Sequence, residues 1–149
     1  MILDTQTKFS DAQLLTVSAI SANVLDTRNA GSPALADEGV GNEVWLNIVV
    51  ATTFTAAGGA TLTASLLSDS ATNLTTAPVT HFSTAAIPVA TLVAGYQVAR
   101  IQLPSADYKR YMGLNYAVAT GPFTAGALSA FITLDPQRNV IYPSGFTVQ

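Results

Sequence analysis

Apolar and polar residues alternate one for one over five stretches of the chain, and this is the pattern of a β-strand with one buried face. The stretches are 43–51, 61–67, 96–103, 110–118 and 127–134. The apolar residues of each stretch share one face: Val44, Leu46, Ile48 and Val50; Leu62, Ala64 and Leu66; Ala99, Ile101 and Leu103; Met112, Leu114, Tyr116 and Val118; Leu128, Ala130, Ile132 and Leu134. We therefore predict five strands that pack one face of a sheet onto a core.

Four weaker stretches, at 13–18, 22–26, 79–84 and 86–92, predict further strands. Pro88 lies in the last of them and cannot donate to an interior ladder, so this strand is expected at a sheet edge. No window sustains the apolar spacing of three and four that marks an amphipathic helix. Many short strands separated by Gly, Pro, Asn and Ser favour an all-β fold, an antiparallel sandwich or barrel.

Residues 120–126, "TGPFTAG", could either cradle a phosphate or reverse the chain. A P-loop needs a lysine and a hydroxyl residue at the start of a helix, whereas Gly126 is followed by the alternating "ALSAFITL". We therefore predict a hairpin, in which Pro122 and the glycines supply the backbone angles of a tight reversal. The segment "FTAAGGATLTASLL" at 54–67 echoes "FTAGALSAFITL" at 123–134 and is predicted to be a similar hairpin.

The length of 149 residues fits a single domain. We predict an N-terminal arm at 1–12, a sandwich at 13–134 and a C-terminal extension at 135–149, with a polar surface loop at 28–42. Apolar residues in the two extensions are costly to expose, so they either fold back onto their own domain or dock onto a neighbour. The candidate contact residues there are Ile2, Leu3, Phe9, Ile141, Tyr142 and Phe146.

The composition also indicates that part of the protein's surface is covered by other subunits. Charged residues make up 10% of the chain, against about 25% in ordinary globular domains, while 49% is hydrophobic. Small residues explain part of this, since the chain has 24 Ala and 19 Thr. The other explanation is that neighbouring subunits cover part of the surface, and we favour it.

Several classes of partner and anchor are not expected. The net charge is −3 and the six Lys and Arg residues form no cluster, so nucleic acid is not an expected partner. The longest apolar run, "VWLNIVVA", is far shorter than the roughly 20 residues that cross a bilayer, and the N-terminus has no secretory pattern. The chain has no cysteine, so disulfides and thiolate zinc sites are excluded.

The chemistry of an enzyme is also not expected. His81 is the single histidine, it lies on a predicted strand, and it is interpreted as a surface or hydrogen-bonded structural group. Asp37, Glu38 and Glu43 are the densest acidic group; a weak cation site is conceivable, but solvated loop charges are the preferred interpretation. We predict no catalytic, cofactor-binding or metal site.

Two aromatic residues lie opposite the apolar face of their predicted strands. Trp45 and Tyr111 are therefore candidates for contact with another subunit. Alternatively, they belong to a second buried face, or they stack on sugar rings in a lectin-like module.

The order of several segments carries a family resemblance. "MILDTQTKFSDAQLLT", "SANVLDT", "FTAAGGATLTASLLSD", "AIPVATLVAGYQVARIQLP" and "RYMGLNYAVATGPFTAGALSAFI" resemble the cement or decoration proteins of tailed-phage heads, of the type found on the Bordetella phage capsid. The resemblance covers residues 1 to about 134 and implies an antiparallel jelly-roll β-sandwich without catalytic residues.

The same resemblance implies a role and a location. Proteins of this type clamp neighbouring major capsid protein subunits from outside the shell and act as small homo-oligomers, here a dimer or a trimer. The implied location is the virion exterior, after assembly in the host cytoplasm. The alternatives are a glycan-binding, lectin-like module and a structural protein of the tail or fibre.

Overall fold

Ten β-strands form within the part of the chain that the computed structural model describes, residues 5–27 and 43–134. The strands are β1 (Lys8–Leu14), β2 (Ala19–Ile20), β3 (Leu25–Asp26), β4 (Trp45–Thr55), β5 (Thr61–Asp69), β6 (Val79–Ser83), β7 (Ile87–Pro88), β8 (Gln97–Gln102), β9 (Tyr111–Ala119) and β10 (Ala125–Thr133). Two short 3-10 turns, Thr5–Thr7 and Val89–Thr91, accompany them, and the described residues contain no α-helix. The five strongly alternating stretches thus all form strands, as predicted.

The strands form two antiparallel sheets. Sheet A has the order β1, β10, β4, β8. In sheet B the order is β2, β9, β5, β6, with β3 also paired to β9 and β7 also paired to β5. The predicted all-β sandwich is confirmed, and the strand order is compatible with the jelly-roll interpretation.

The two predicted hairpins are wrong. β4 lies in sheet A and β5 in sheet B, while β9 lies in sheet B and β10 in sheet A. The glycine-containing segments after β4 and after β9 are therefore arches that carry the chain from one sheet to the other. A tight reversal within one sheet and an arch between two sheets both need turn residues, so the local sequence does not separate them.

The two arches lie side by side, which gives the sequence echo a structural meaning. The rings of Phe54 and Phe123 meet edge to face, with centroids 4.7 Å apart. The hydroxyls of Thr55 and Thr124 are hydrogen-bonded at 2.7 Å, and the Thr124 N–H donates to the Thr55 carbonyl oxygen at 2.7 Å. The two similar segments, Phe-Thr-Ala in each case, therefore pack against each other.

The N-terminal boundary of the sandwich differs from the prediction. Strand β1 spans Lys8–Leu14, so the second half of the predicted arm at 1–12 belongs to sheet A. Pairing between β1 and β10 shifts in register twice, between Lys8 and Ser10 and between Ser10 and Gln13. These shifts place Phe9 and Ser10 both inside, which breaks the period of two by which strands are detected in sequence.

The weaker strands are shorter than predicted. The stretch 22–26 forms a strand only at Leu25–Asp26, and 86–92 only at Ile87–Pro88, before a 3-10 turn. Strand β7 pairs with β5 alone, which agrees with the edge position expected from Pro88.

One hydrophobic core fills the space between the sheets. Its fully buried large side chains are Phe9, Leu15, Leu46, Ile48, Val50, Leu62, Leu66, Leu92, Met112, Leu114, Tyr116 and Leu128. The core therefore consists largely of the predicted apolar faces, Tyr116 included. The Tyr116 hydroxyl is hydrogen-bonded to Ser10 Oγ at 2.8 Å, and burial raises the pKa of this tyrosine. Leu134 is exposed, because β10 ends at Thr133.

Candidate interaction surface

The outer face of sheet A carries large side chains at its centre. Phe131 on β10 lies opposite Asn47 on β4, which in turn lies opposite Arg100 on β8. Trp45 and Val49 point outward with Asn47, because residues 46, 48 and 50 of the same strand enter the core. Phe131, Trp45 and Val49 are half-buried. We call the set Trp45, Asn47, Val49 and Phe131 the aromatic patch.

Polar side chains border the aromatic patch. They follow the strand pairing: Thr133 and Gln102 beside Trp45, Lys8 beside Phe131, Arg100 beside Asn47, and Ser129 and Gln97 beside Val49. Lys8 also forms an ion pair with the exposed Asp11, at 2.9 Å. An apolar, aromatic centre inside a polar rim is the usual arrangement of a protein–protein contact surface.

Asn47 is the polar residue at the centre of the patch. It is 4% exposed, and its Oδ1 lies 3.5 Å from Gln97 Nε2, which is long for a hydrogen bond. Its Nδ2 has no hydrogen-bond partner within the described residues. A buried donor without an acceptor costs about 1–3 kcal/mol. Within the described residues, a polar atom is therefore left unsatisfied in the middle of the aromatic patch.

The outer face of sheet B has a different character. Small and polar residues line its two central strands: Thr61, Thr63 and Ser65 on β5, and Asn115, Ala117 and Ala119 on β9. Leu74 packs over Gly113 at one end, so closely that a Cβ on this glycine would lie 2.6 Å from Leu74 Cδ1. The centre of sheet B thus has no counterpart, among the described residues, of the half-buried Trp45, Val49 and Phe131 at the centre of sheet A.

Tyr111 lies on the outer face of sheet B, where Arg110 covers it. The Arg110 guanidinium lies 4.8 Å from the centre of the Tyr111 ring and donates two hydrogen bonds to Asp26, at 2.9 and 2.8 Å. The hydrogen bond to Asp26 raises the pKa of Arg110 against the opposing effect of burial. Trp45 and Tyr111 therefore lie on opposite outer faces and cannot form one sugar-binding site.

The other predicted contact residues divide into two groups. Phe9 is 0% exposed and belongs to the core of its own sandwich, so its assignment to a subunit contact is wrong. The remaining residues, Ile2, Leu3, Ile141, Tyr142 and Phe146, lie outside the described residues, and their role stays a prediction.

Three residues of the aromatic patch were missed by sequence reasoning. Asn47, Val49 and Phe131 lie on the supposedly solvent-facing side of their strands, together with Trp45. The signal was present, because two adjacent strands carry Trp, Val and Phe at positions where Thr, Ser or Lys is usual. Detecting it required knowing that β4 and β10 are neighbours.

A second exposed apolar set lies between β1 and β2. Leu14 is 79% exposed and Val17 is 60% exposed, and Ile20 is also exposed on β2. This set lies where the chain passes from sheet A to sheet B, and it contains no aromatic residue.

His81 is engaged in structural contacts. Its Nε2 is hydrogen-bonded to Ser68 Oγ at 2.7 Å, and its ring lies 4.4 Å from the centre of the Tyr108 ring. Burial lowers the pKa of His81 and raises the pKa of Tyr108 to about 12. The interpretation of this histidine as a hydrogen-bonded structural group is confirmed.

Asp69 is a buried carboxylate that the sequence analysis did not single out. It ends β5, and its two oxygens accept hydrogen bonds from the backbone N–H groups of Ser70, Thr76 and Ala77 at 2.6 to 3.1 Å. Burial opposes ionisation, but these backbone hydrogen bonds outweigh it, so the pKa of Asp69 lies below its usual value of 3.8. Asp69 therefore fixes the loop at 70–78.

Residues 5–27 and 43–134 contain no group of three His, Cys, Asp or Glu side chains placed to hold a metal ion. Glu43 is exposed, and its predicted companions Asp37 and Glu38 lie outside these ranges. None of the helical turns in the same ranges has the length and hydropathy of a membrane span.

Comparison with known proteins identifies the family. The family model Bbp16 matches residues 9–132, which include nearly all of both sheets. No curated protein matches the chain. The match covers more than half of the sequence, so the chain belongs to the Bbp16 family, a family of Bordetella phage proteins.

Proposed function

We propose that this protein is a structural component of the phage virion that decorates the outside of the capsid and cements neighbouring major capsid protein subunits. Membership of a phage protein family over residues 9–132 is the observation that carries the proposal. The aromatic patch on sheet A supports it, because a half-buried aromatic centre with a polar rim suits contact with another protein. The groups best suited to chemistry, His81 and Asp69, are held in structural hydrogen bonds.

In this proposal the protein acts as a small homo-oligomer. Each oligomer then touches several capsid subunits at once, and a second contact forms at high effective concentration once the first is made. Modest interfaces suffice for attachment under these conditions. The low content of charged residues, 10%, suits a protein whose surface is partly covered by its neighbours.

Reconstitution on capsids tests the proposal. Purified protein is mixed with shells assembled from the major capsid protein alone, and the shells are sedimented, imaged and heated. We expect regular density on the outer surface and a higher temperature of shell disruption. The mass of the free protein in native conditions should be two or three times the 15.4 kDa of one chain.

Two results would contradict the proposal. Protein that stays in the supernatant at saturating concentration would not be a decoration protein. Protein that binds purified tails or fibres and leaves the shells bare would support the tail or fibre alternative instead.

A further inference from the structure

The proposed function does not say which side of the sandwich meets the shell. We propose that the aromatic patch of sheet A is the shell-binding surface, and that it receives a carboxylate-bearing, otherwise apolar segment of the capsid protein. Asn47 Nδ2 and Arg100 bind that carboxylate in the complex. This inference rests on the proposed function and adds the surface and the chemistry of the partner.

The difference between the outer faces of the two sheets favours sheet A as the shell-binding side. Trp45, Val49 and Phe131 are large and half-buried, and they cluster around one position on adjacent strands. The corresponding central positions of sheet B are occupied by Thr, Ser, Asn and Ala. Aromatic residues at the centre of a contact surface contribute most of the binding free energy, whereas small polar residues contribute little.

Asn47 indicates what the partner must supply. Its Nδ2 is buried and has no acceptor among the described residues, so the free protein carries a cost that a docked oxygen atom would remove. Gln97, the residue beside this amide, is exposed, and its side chain can swing aside when a partner docks. An acceptor placed there would satisfy this N–H group.

The positive charge of Arg100 favours a carboxylate as the partner group that accepts from Asn47 Nδ2. It is the direct cross-strand neighbour of Asn47, and a guanidinium has five N–H donors, so it can bind a carboxylate together with its other contacts. A carboxylate oxygen between Arg100 and Asn47 would accept from both. Apolar residues next to that carboxylate would then cover Trp45 and Phe131.

A second copy of this chain is a poorer occupant of the same surface. Asp11 is the carboxylate that the strands of sheet A carry, and Lys8 already binds it, while Glu43 precedes β4 at the margin of the patch. A two-fold axis through the centre of the patch would therefore place Asn47 and Arg100 of the two copies against each other, away from the described carboxylates. The capsid protein is the partner that the chemistry of the patch favours.

The matched variants Asn47→Leu and Asn115→Leu test the inference. Both replace an asparagine by a similar-sized apolar residue on a central strand, but Asn47 is on sheet A and Asn115 on sheet B. Asn47→Leu should weaken attachment to capsid shells about tenfold, because it removes one hydrogen bond to a charged group. Asn115→Leu should attach like the wild type.

The stability of the free protein separates binding from folding. Asn47→Leu removes an unsatisfied buried donor, so the free variant should resist urea at least as well as the wild type. Equal or higher stability of the free variant together with weaker attachment to shells is the expected combination. Arg100→Glu should lower shell occupancy further, because it places a negative charge against the partner's carboxylate.

The failures of the two proposals are distinguishable. If the wild type does not attach to shells, the proposed function is wrong. If the wild type attaches and Asn47→Leu attaches equally well, only the assignment of the aromatic patch is overturned. A change in the native mass of Asn47→Leu, with shell attachment intact, would overturn it too and would make the patch an interface between copies.

Discussion

Gly126 shows how a single residue permits the junction of the two sheets. Its φ is +144°, and a Cβ at this position would lie 2.2 Å from Cδ1 of Phe54. Phe54 in turn packs on Phe123 of the other arch. The glycine therefore allows both an unusual backbone angle and the approach of an aromatic ring to the backbone.

We expect Gly126→Ala to destabilise the protein by about 2–4 kcal/mol, because it combines overpacking with backbone strain. Urea unfolding followed by circular dichroism measures the change. Gly58→Ala in the first arch is the matched control, since nothing lies within 4 Å of a Cβ built there. Equal stability of the two variants would show that Phe54 moves aside at no cost.

The lowered pKa of Asp69 leads us to expect that the stability of the fold depends on pH in the acidic range. The pKa of this carboxyl lies below its usual value of 3.8 in the folded protein, so the ionised form stabilises the fold above about pH 4. This contribution to stability begins to fall as the pH drops below the usual pKa of 3.8. It is lost once the pH passes below the lower pKa of Asp69 in the folded protein. Asp69→Asn should therefore melt several degrees lower than the wild type at pH 7, and the difference should shrink towards pH 2.

Thermal melts of both proteins at pH 7 and at low pH measure this effect. Asp107→Asn in an exposed loop is the control, and it should melt like the wild type at pH 7. A constant difference between wild type and Asp69→Asn over the whole range would mean that the hydrogen bonds of the loop matter and the charge does not.

At the scale of the strand, alternation was a reliable guide where pairing is regular. The five strong stretches became β4, β5, β8, β9 and β10, and their apolar faces form the core. Strand β1 was placed too late in the chain because two register shifts interrupt its period of two. Its contacts with β10 over 100 residues away determine those shifts, and no local pattern contains them.

The local sequence does not show which strands are neighbours in a sheet. The segments after β4 and β9 looked like hairpins because an arch uses the same turn residues, yet each joins two sheets. The aromatic patch was missed for the same reason, because the sequence does not show which strands are adjacent. Trp45 was identified alone, and Phe131 joins it only because β10 pairs with β4. Asp69 was hidden for a related reason, since its hydrogen-bond donors lie up to eight residues away.

The whole molecule combines a closed sandwich with chain on either side of it. The described strands of both sheets lie within residues 8–133, and the family match at 9–132 covers the same part of the chain. The buried core residues that the structure describes lie within the same limits. Deletions from the two ends therefore separate folding from attachment, provided that they stop outside the sandwich.

We expect deletion of residues 136–149 to leave the β-type circular dichroism and the urea midpoint unchanged and to weaken attachment to capsid shells. The reason is that this segment carries apolar residues, such as Ile141 and Phe146, that are costly to expose to water. Deletion of 1–4 should behave in the same way. Deletion of 1–12 is the contrast, since it removes Phe9 from the core and most of β1, at a cost of more than about 3 kcal/mol. Unchanged shell occupancy after both short deletions would exclude the two ends as capsid contacts and leave the aromatic patch to account for attachment.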